Sequence, residues 1–128
     1  MAKELKINNE QNFVSLEQAI TEGSNALIPF EFEYPNTDLS VEVKLKPITN
    51  PELQEVVQSS ELSGLSLDIE LLAIAMFNTD GSCFEKELLE KLPAGVVLKV
   101  SYKIMDISGM DVEELYQHRS SASQLPGF

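Results

Sequence analysis

The sequence predicts an α+β fold, mainly α: an N-terminal antiparallel β-hairpin packed on a small bundle of four to five helices. Three observations carry that expectation. Between Ile28 and Leu45, apolar residues recur at every second position on either side of Pro35-Asn36-Thr37-Asp38, as in two strands that share one buried face. From Pro51 onward, prolines, capping residues and three-to-four spacing mark a series of short helices instead. Within that series Leu71 to Phe77 is an unbroken apolar run, and its Leu, Ala and Met content favours helix over strand. A helix apolar on nearly all sides must be covered on nearly all sides, so the other elements are expected to pack around it.

A chain of 128 residues, 43% hydrophobic, forms one domain with a core that needs no staples. That domain is expected over 1–117, with a disordered tail over 118–128. Nine Lys and Arg stand against 21 Asp and Glu, a net charge of -12. Such a surface repels phosphate backbones and anionic lipid, so nucleic acid and membranes are excluded as expected partners and basic or apolar proteins are favoured. The single cysteine, Cys83, cannot make an internal disulfide, which fits a reducing cytoplasm. No signal-type apolar segment opens the chain and no run approaches the ~18 apolar residues of a membrane span, so a soluble, unexported protein is expected.

Taken in order, Met1 to Asn12 is weakly patterned and reads as a loose arm. Ser15 with Gln18 makes a capping-box pattern, and Phe13, Leu16 and Ile20 follow helical spacing, predicting a helix over Leu16 to Glu22 that needs docking to persist. Strand residues Ile28, Phe30, Phe32 and Tyr34 then pair with Leu39, Val41, Val43 and Leu45, with Pro29 marking an edge. On the wet face Glu31, Glu33 and Glu42 are set against Lys44 and Lys46, so charges can pair across the strands. Thr49 or Asn50 caps a helix with Pro51 at its first position, running to about Ser60 before Ser63-Gly64 breaks it. Ser66 caps the central helix, predicted over Leu67 to Phe77 with Asp68 and Glu70 in its first turn, and Asn78 to Gly81 closes it as a turn. Ser82 with Glu85 suggests a further capping box and a short helix through Leu92. For residues 96–107 two patterns compete: alternation at Val96, Leu98, Val100, Tyr102 and Ile104 suits a strand, while Val97, Val100, Ile104 and Ile107 suit a helix between Pro93 and Gly109. Met110 to Gln117 reads as a final short helix.

Candidate sites are few. One histidine, His118, and one cysteine assemble neither a zinc cluster nor a Cys-His pair, and a Ser-His-Asp site would hang on the edge of the tail. Asn78, Asp80 and Glu87 match calcium-loop positions, but Met76 falls where the first carboxylate belongs, so the stretch reads as a turn. Paired acids such as Glu85 and Glu87, or Glu113 and Glu114, arise without design among 21. No catalytic residue, cofactor or metal is expected, and the chain does not read as an enzyme. Met105, Met110, Leu115 and Tyr116 make an adaptable apolar surface that either binds a partner or caps the core.

From about Leu45 to Met110, roughly half the chain, the sequence resembles the tail assembly chaperones of long-tailed bacteriophages, particularly those of Gram-positive hosts. The marks are Leu45-Lys46-Pro47-Ile48-Thr49 before a proline-capped helix and the segment Phe84 to Leu89. They continue with Leu92-Pro93-Ala94-Gly95-Val96-Val97 and end on Ile107-Ser108-Gly109. The resemblance implies a non-catalytic protein of the host cytoplasm, absent from the mature virion, that keeps the tape measure protein soluble and helps recruit tail tube protein. It also implies a helix over Leu92 to Gly109 and a longer product made by ribosomal frameshifting, and it leaves a homo-oligomer open. Two other functions compete. A structural phage component, such as a head-tail connector or tail terminator subunit, is one; an acidic inhibitor that mimics DNA, suggested by charge alone, is the other.

Overall fold

The computed structural model describes residues 13–24 and 26–110. Its elements are α1 (Leu16–Ser24), β1 (Ile28–Glu33), β2 (Ser40–Leu45), α2 (Asn50–Ser63), α3 (Leu67–Ala75), β3 (Met76–Phe77), α4 (Lys86–Leu89) and α5 (Ala94–Ile107). The class is α+β, mainly α. The three strands form one antiparallel sheet in the order β1-β2-β3. The expected hairpin is therefore present, and a short third strand extends it.

Local chemistry explains most element ends. The β1–β2 turn places Asn36 at φ 65°, a left-handed conformation that asparagine tolerates, and the Thr37 hydroxyl donates to the Tyr34 carbonyl at 2.8 Å. Thr49, not Asn50, caps α2: its hydroxyl accepts from the Glu52 N–H while the Glu52 carboxylate accepts from the Thr49 N–H, and Pro51 sits in the first turn. Lys46 adds an ion pair to Glu52 at 2.6 Å. Gly64, at φ 79°, ends α2 and lets its N–H reach the Ser60 carbonyl. Residues 96–107, ambiguous in pattern, are helical, and Gly109 at φ 88° turns the chain out of α5.

The core gathers Phe32, Val43 and Leu45 from the sheet with Val56 of α2, Leu71, Leu72 and Ala75 of α3, Leu89 of α4, and Val96, Val100 and Ile104 of α5. As the apolar run predicts, α3 lies at the centre, against α2, α4, α5 and β3.

Four expectations need correction. The central helix stops at Ala75, because Met76 turns extended (φ -116°, ψ 134°) and Met76 and Phe77 pair with Leu45 and Lys44. The second edge of β2 outcompetes two more helical residues, and the Lys46 N–H donates to the Ala75 carbonyl at 2.9 Å. Ser82 is not a helix cap. Its hydroxyl donates to Asp80 at 2.7 Å and accepts from the Asn78 amide at 3.0 Å, while Glu85 precedes α4 without any side-chain cap. The wet face of the hairpin is not charge-paired either: the register sets Glu31 opposite Glu42 and Lys44 opposite Pro29, and Lys46 is engaged by Glu52. Finally, Ser15 does cap α1, accepting from the Gln18 N–H at 3.1 Å, but Gln18 donates forward to Glu22 and completes no box. The expected arm over 1–12, the final helix beyond Met110 and the tail with His118 lie outside the described residues.

Candidate functional site

The most demanding chemistry lies inside the bundle, at a residue whose sequence position suggested only a helix first turn. Glu70 is 2% exposed. Ser66 starts α3 by accepting from the Ile69 N–H, and one residue later the Glu70 side chain enters the interior between α2 and α4. There it accepts from the Ser63 hydroxyl at 2.7 Å through one oxygen and pairs with Lys86 Nζ at 2.8 Å through the other. Burial pushes its carboxyl up, but the Lys86 hydrogen bond, the Ser63 hydroxyl and the Lys86 charge together hold it below the usual carboxylate value. Nearby, buried Ser101 of α5 donates to Asp68 at 2.7 Å. No buried side-chain polar atom among the described residues lacks a partner.

These groups join one helix to another. Glu70 therefore locks α2, α3 and α4 into one arrangement, with Lys86 as the arm that crosses from the short helix. A signal for it existed in Ile69-Glu70-Leu71-Leu72, where a helix apolar on every side leaves its glutamate nowhere wet to go.

The surface candidates separate. Met105 packs partly buried against the core and Met110 is half-buried, its N–H donating to the Met105 carbonyl at 3.0 Å, whereas Leu115 and Tyr116 lie outside the described residues. At Asn78 to Ser82 the turn is closed by the Asn78 N–H to the Ser82 carbonyl at 2.8 Å. Asp80 accepts from the N–H and hydroxyl of Ser82, and those two bonds hold its carboxyl below its usual value. Both bonds fall on one carboxylate oxygen, which ties Asp80 into the turn. Among the described residues no group of three His, Cys, Asp or Glu is placed to hold a metal ion. No helix among them is long and apolar enough to cross a membrane.

Apolar exposure lies elsewhere. Phe13 is 83% exposed, Leu16 74% and Leu62 89%. Helix α1 leans on the Pro47–Thr49 segment and the end of α5 across a cleft of about 280 Å³, which leaves its Phe13 and Leu16 end in solvent. On the sheet, a groove of about 590 Å³ separates Phe30 and Glu31 of β1 from Lys99, Tyr102 and Lys103 of α5.

No family model, no curated protein and no solved structure matches this chain. What it does must therefore be read from its own residues and their geometry.

Proposed function

We propose that this protein is a tail assembly chaperone of a long-tailed bacteriophage, which binds the tape measure protein, keeps it soluble and helps recruit tail tube protein in the host cytoplasm. The observation that carries the reading is the pair of marks around α5. Leu92 to Val97 leads into that helix, with Pro93 at its N-cap and Val96 and Val97 in the core, and Ile107 to Gly109 ends it. Two separated stretches of the resemblance thus serve one 14-residue helix, which supports treating them as one unit.

Surface chemistry supports the same reading. A net charge of -12 limits self-association, while exposed Phe13, Leu16 and Leu62 offer apolar contacts to a partner with long helical apolar faces. The test starts from the coding region downstream, expected to be very long and to encode the tape measure protein. Co-expression with that protein is expected to yield a soluble complex retained on a tagged form of this chain. A tape measure protein that stays insoluble and uncaptured overturns the proposal, as does abundant chain in purified virions.

A further inference from the structure

We propose that the outer edge of β1, with the groove between it and α5, accepts an extended segment of a partner protein that carries Lys or Arg at alternate positions and becomes a fourth strand of the sheet. This docking edge is independent of the assembly role and stands without it.

The backbone sets the phase of the edge. Among the described residues β1 pairs with β2 alone. The Tyr34 N–H donates to the Leu39 carbonyl at 2.9 Å, which fixes residues 28, 30, 32 and 34 as those whose N–H and C=O face β2. Glu31 and Glu33 therefore direct their N–H and C=O outward, and Pro29, in the same phase, has no N–H to offer. The result is a short edge with two donors and three acceptors, guarded at one end by the proline.

Space for a strand lies beside it. Helix α5 packs on α3, and a groove lies between it and β1. The 590 Å³ groove between Phe30 and Tyr102 continues past Lys99 into one of about 350 Å³ that reaches Glu33 and Ser40. An added strand fits here, with alternate side chains above Phe30 on the core side and beside Glu31 and Glu33 on the wet side.

Charge then selects the occupant. Glu31 faces Glu42 across the pair, a like-charge arrangement that weakens a sheet, and none of Glu31, Glu33 and Glu42 has an ion pair among the described residues. Cations on the wet side of an incoming strand offset that repulsion. On the core side Lys103 is paired with Asp106 at 3.8 Å, and Lys99 suits apolar or acidic positions. A second copy of this chain is the wrong partner: two-fold pairing about Phe32 sets Glu31 of each copy against Glu33 of the other, between chains of charge -12.

The test is an amide NMR titration of the full chain with a capped nine-residue peptide alternating lysine and valine. A peptide of the same composition with its lysines grouped at one end is the comparison. The alternating peptide is expected to saturate, to shift the amides of Phe30 to Glu33 and Lys99 to Lys103, and to slow exchange at Glu31 and Glu33 at least tenfold. Glu31→Gln is expected to weaken binding at least threefold. Glu31→Lys with Glu33→Lys, its fold checked by circular dichroism, is expected to switch preference to a glutamate-valine peptide. Equal responses to both lysine peptides, shifts spread over the acidic surface, or no response at millimolar peptide overturn the proposal. Glu31 and Glu33 amides already protected in the free chain overturn it too, by a second copy if protection grows with concentration and by the chain's own segments if it does not.

Discussion

Helices α1 and α3 are each nine residues long and each starts at a serine that caps it, yet their fates are opposite. Five residues of α3 are buried, including a glutamate, while every described side chain of α1 is exposed. Their patterns invert the usual expectation. The helix with a clear apolar face is the one left outside, and the helix with no distinct face is the one enclosed. Caps and length are thus equal terms, and the difference comes from what surrounds each helix. Four neighbouring elements cover α3, whereas α1 has a cleft beside it and Phe13 and Leu16 in water. A capped helix of this length is marginal alone, so α1 owes its order to whatever it touches.

The largest effect is expected from Leu72→Ala, since Leu72 is fully enclosed in α3: a loss of about 2–5 kcal/mol in urea unfolding. A loss below about 1 kcal/mol would show that α3 is not the organising helix and would erase its contrast with α1.

Next is Lys86→Ala, which strands the buried Glu70 carboxylate. Because Lys86 is 45% exposed and water can partly replace it, the expected loss is about 1–3 kcal/mol, short of that for a fully enclosed pair. The same pair predicts a pH dependence. Glu70 titrates lower in the folded chain than in the unfolded one, so its contribution is present above the unfolded value of ~4.3 and is lost as pH falls through the folded value. Glu52, also held low against burial by Lys46 and Thr49, acts in the same direction. Acid titration of thermal stability is expected to fall less steeply below about pH 4 in Glu70→Gln than in the parent, and an unchanged slope refutes the assignment.

Smaller effects separate two glycines. Gly109 holds φ 88° with open space where a Cβ would stand, so Gly109→Ala costs backbone strain alone, about 1 kcal/mol. Gly23 in α1 has no such φ and equally open space, so Gly23→Ala is expected to stabilise by up to ~1 kcal/mol through helix propensity. Opposite shifts in melting temperature check both. Smallest of all, Leu16→Ser is expected to change stability by less than about 0.5 kcal/mol, and a larger loss would mean that α1 is covered in the free chain.

Legible in the residues alone was everything that neighbours along the chain decide. Alternation over Ile28 to Leu45 specified both strands, Pro51 with Glu52 the start of α2 with its cap left between Thr49 and Asn50, Gly64 its end, and the apolar run the central place of α3. Packing decided the rest, because those outcomes depend on partners distant in the chain. Met76 and Phe77 leave the helix for the free side of β2; the register that sets Glu31 against Glu42 follows from which face meets the core. Residues 96–107 satisfy both periods, and contact with α3 settles them as helix. Glu70 shows the division most sharply. Its helix was legible from its neighbours, but its burial required Ser63 and Lys86 to arrive from two other helices, since a carboxylate leaves water only where donors already wait.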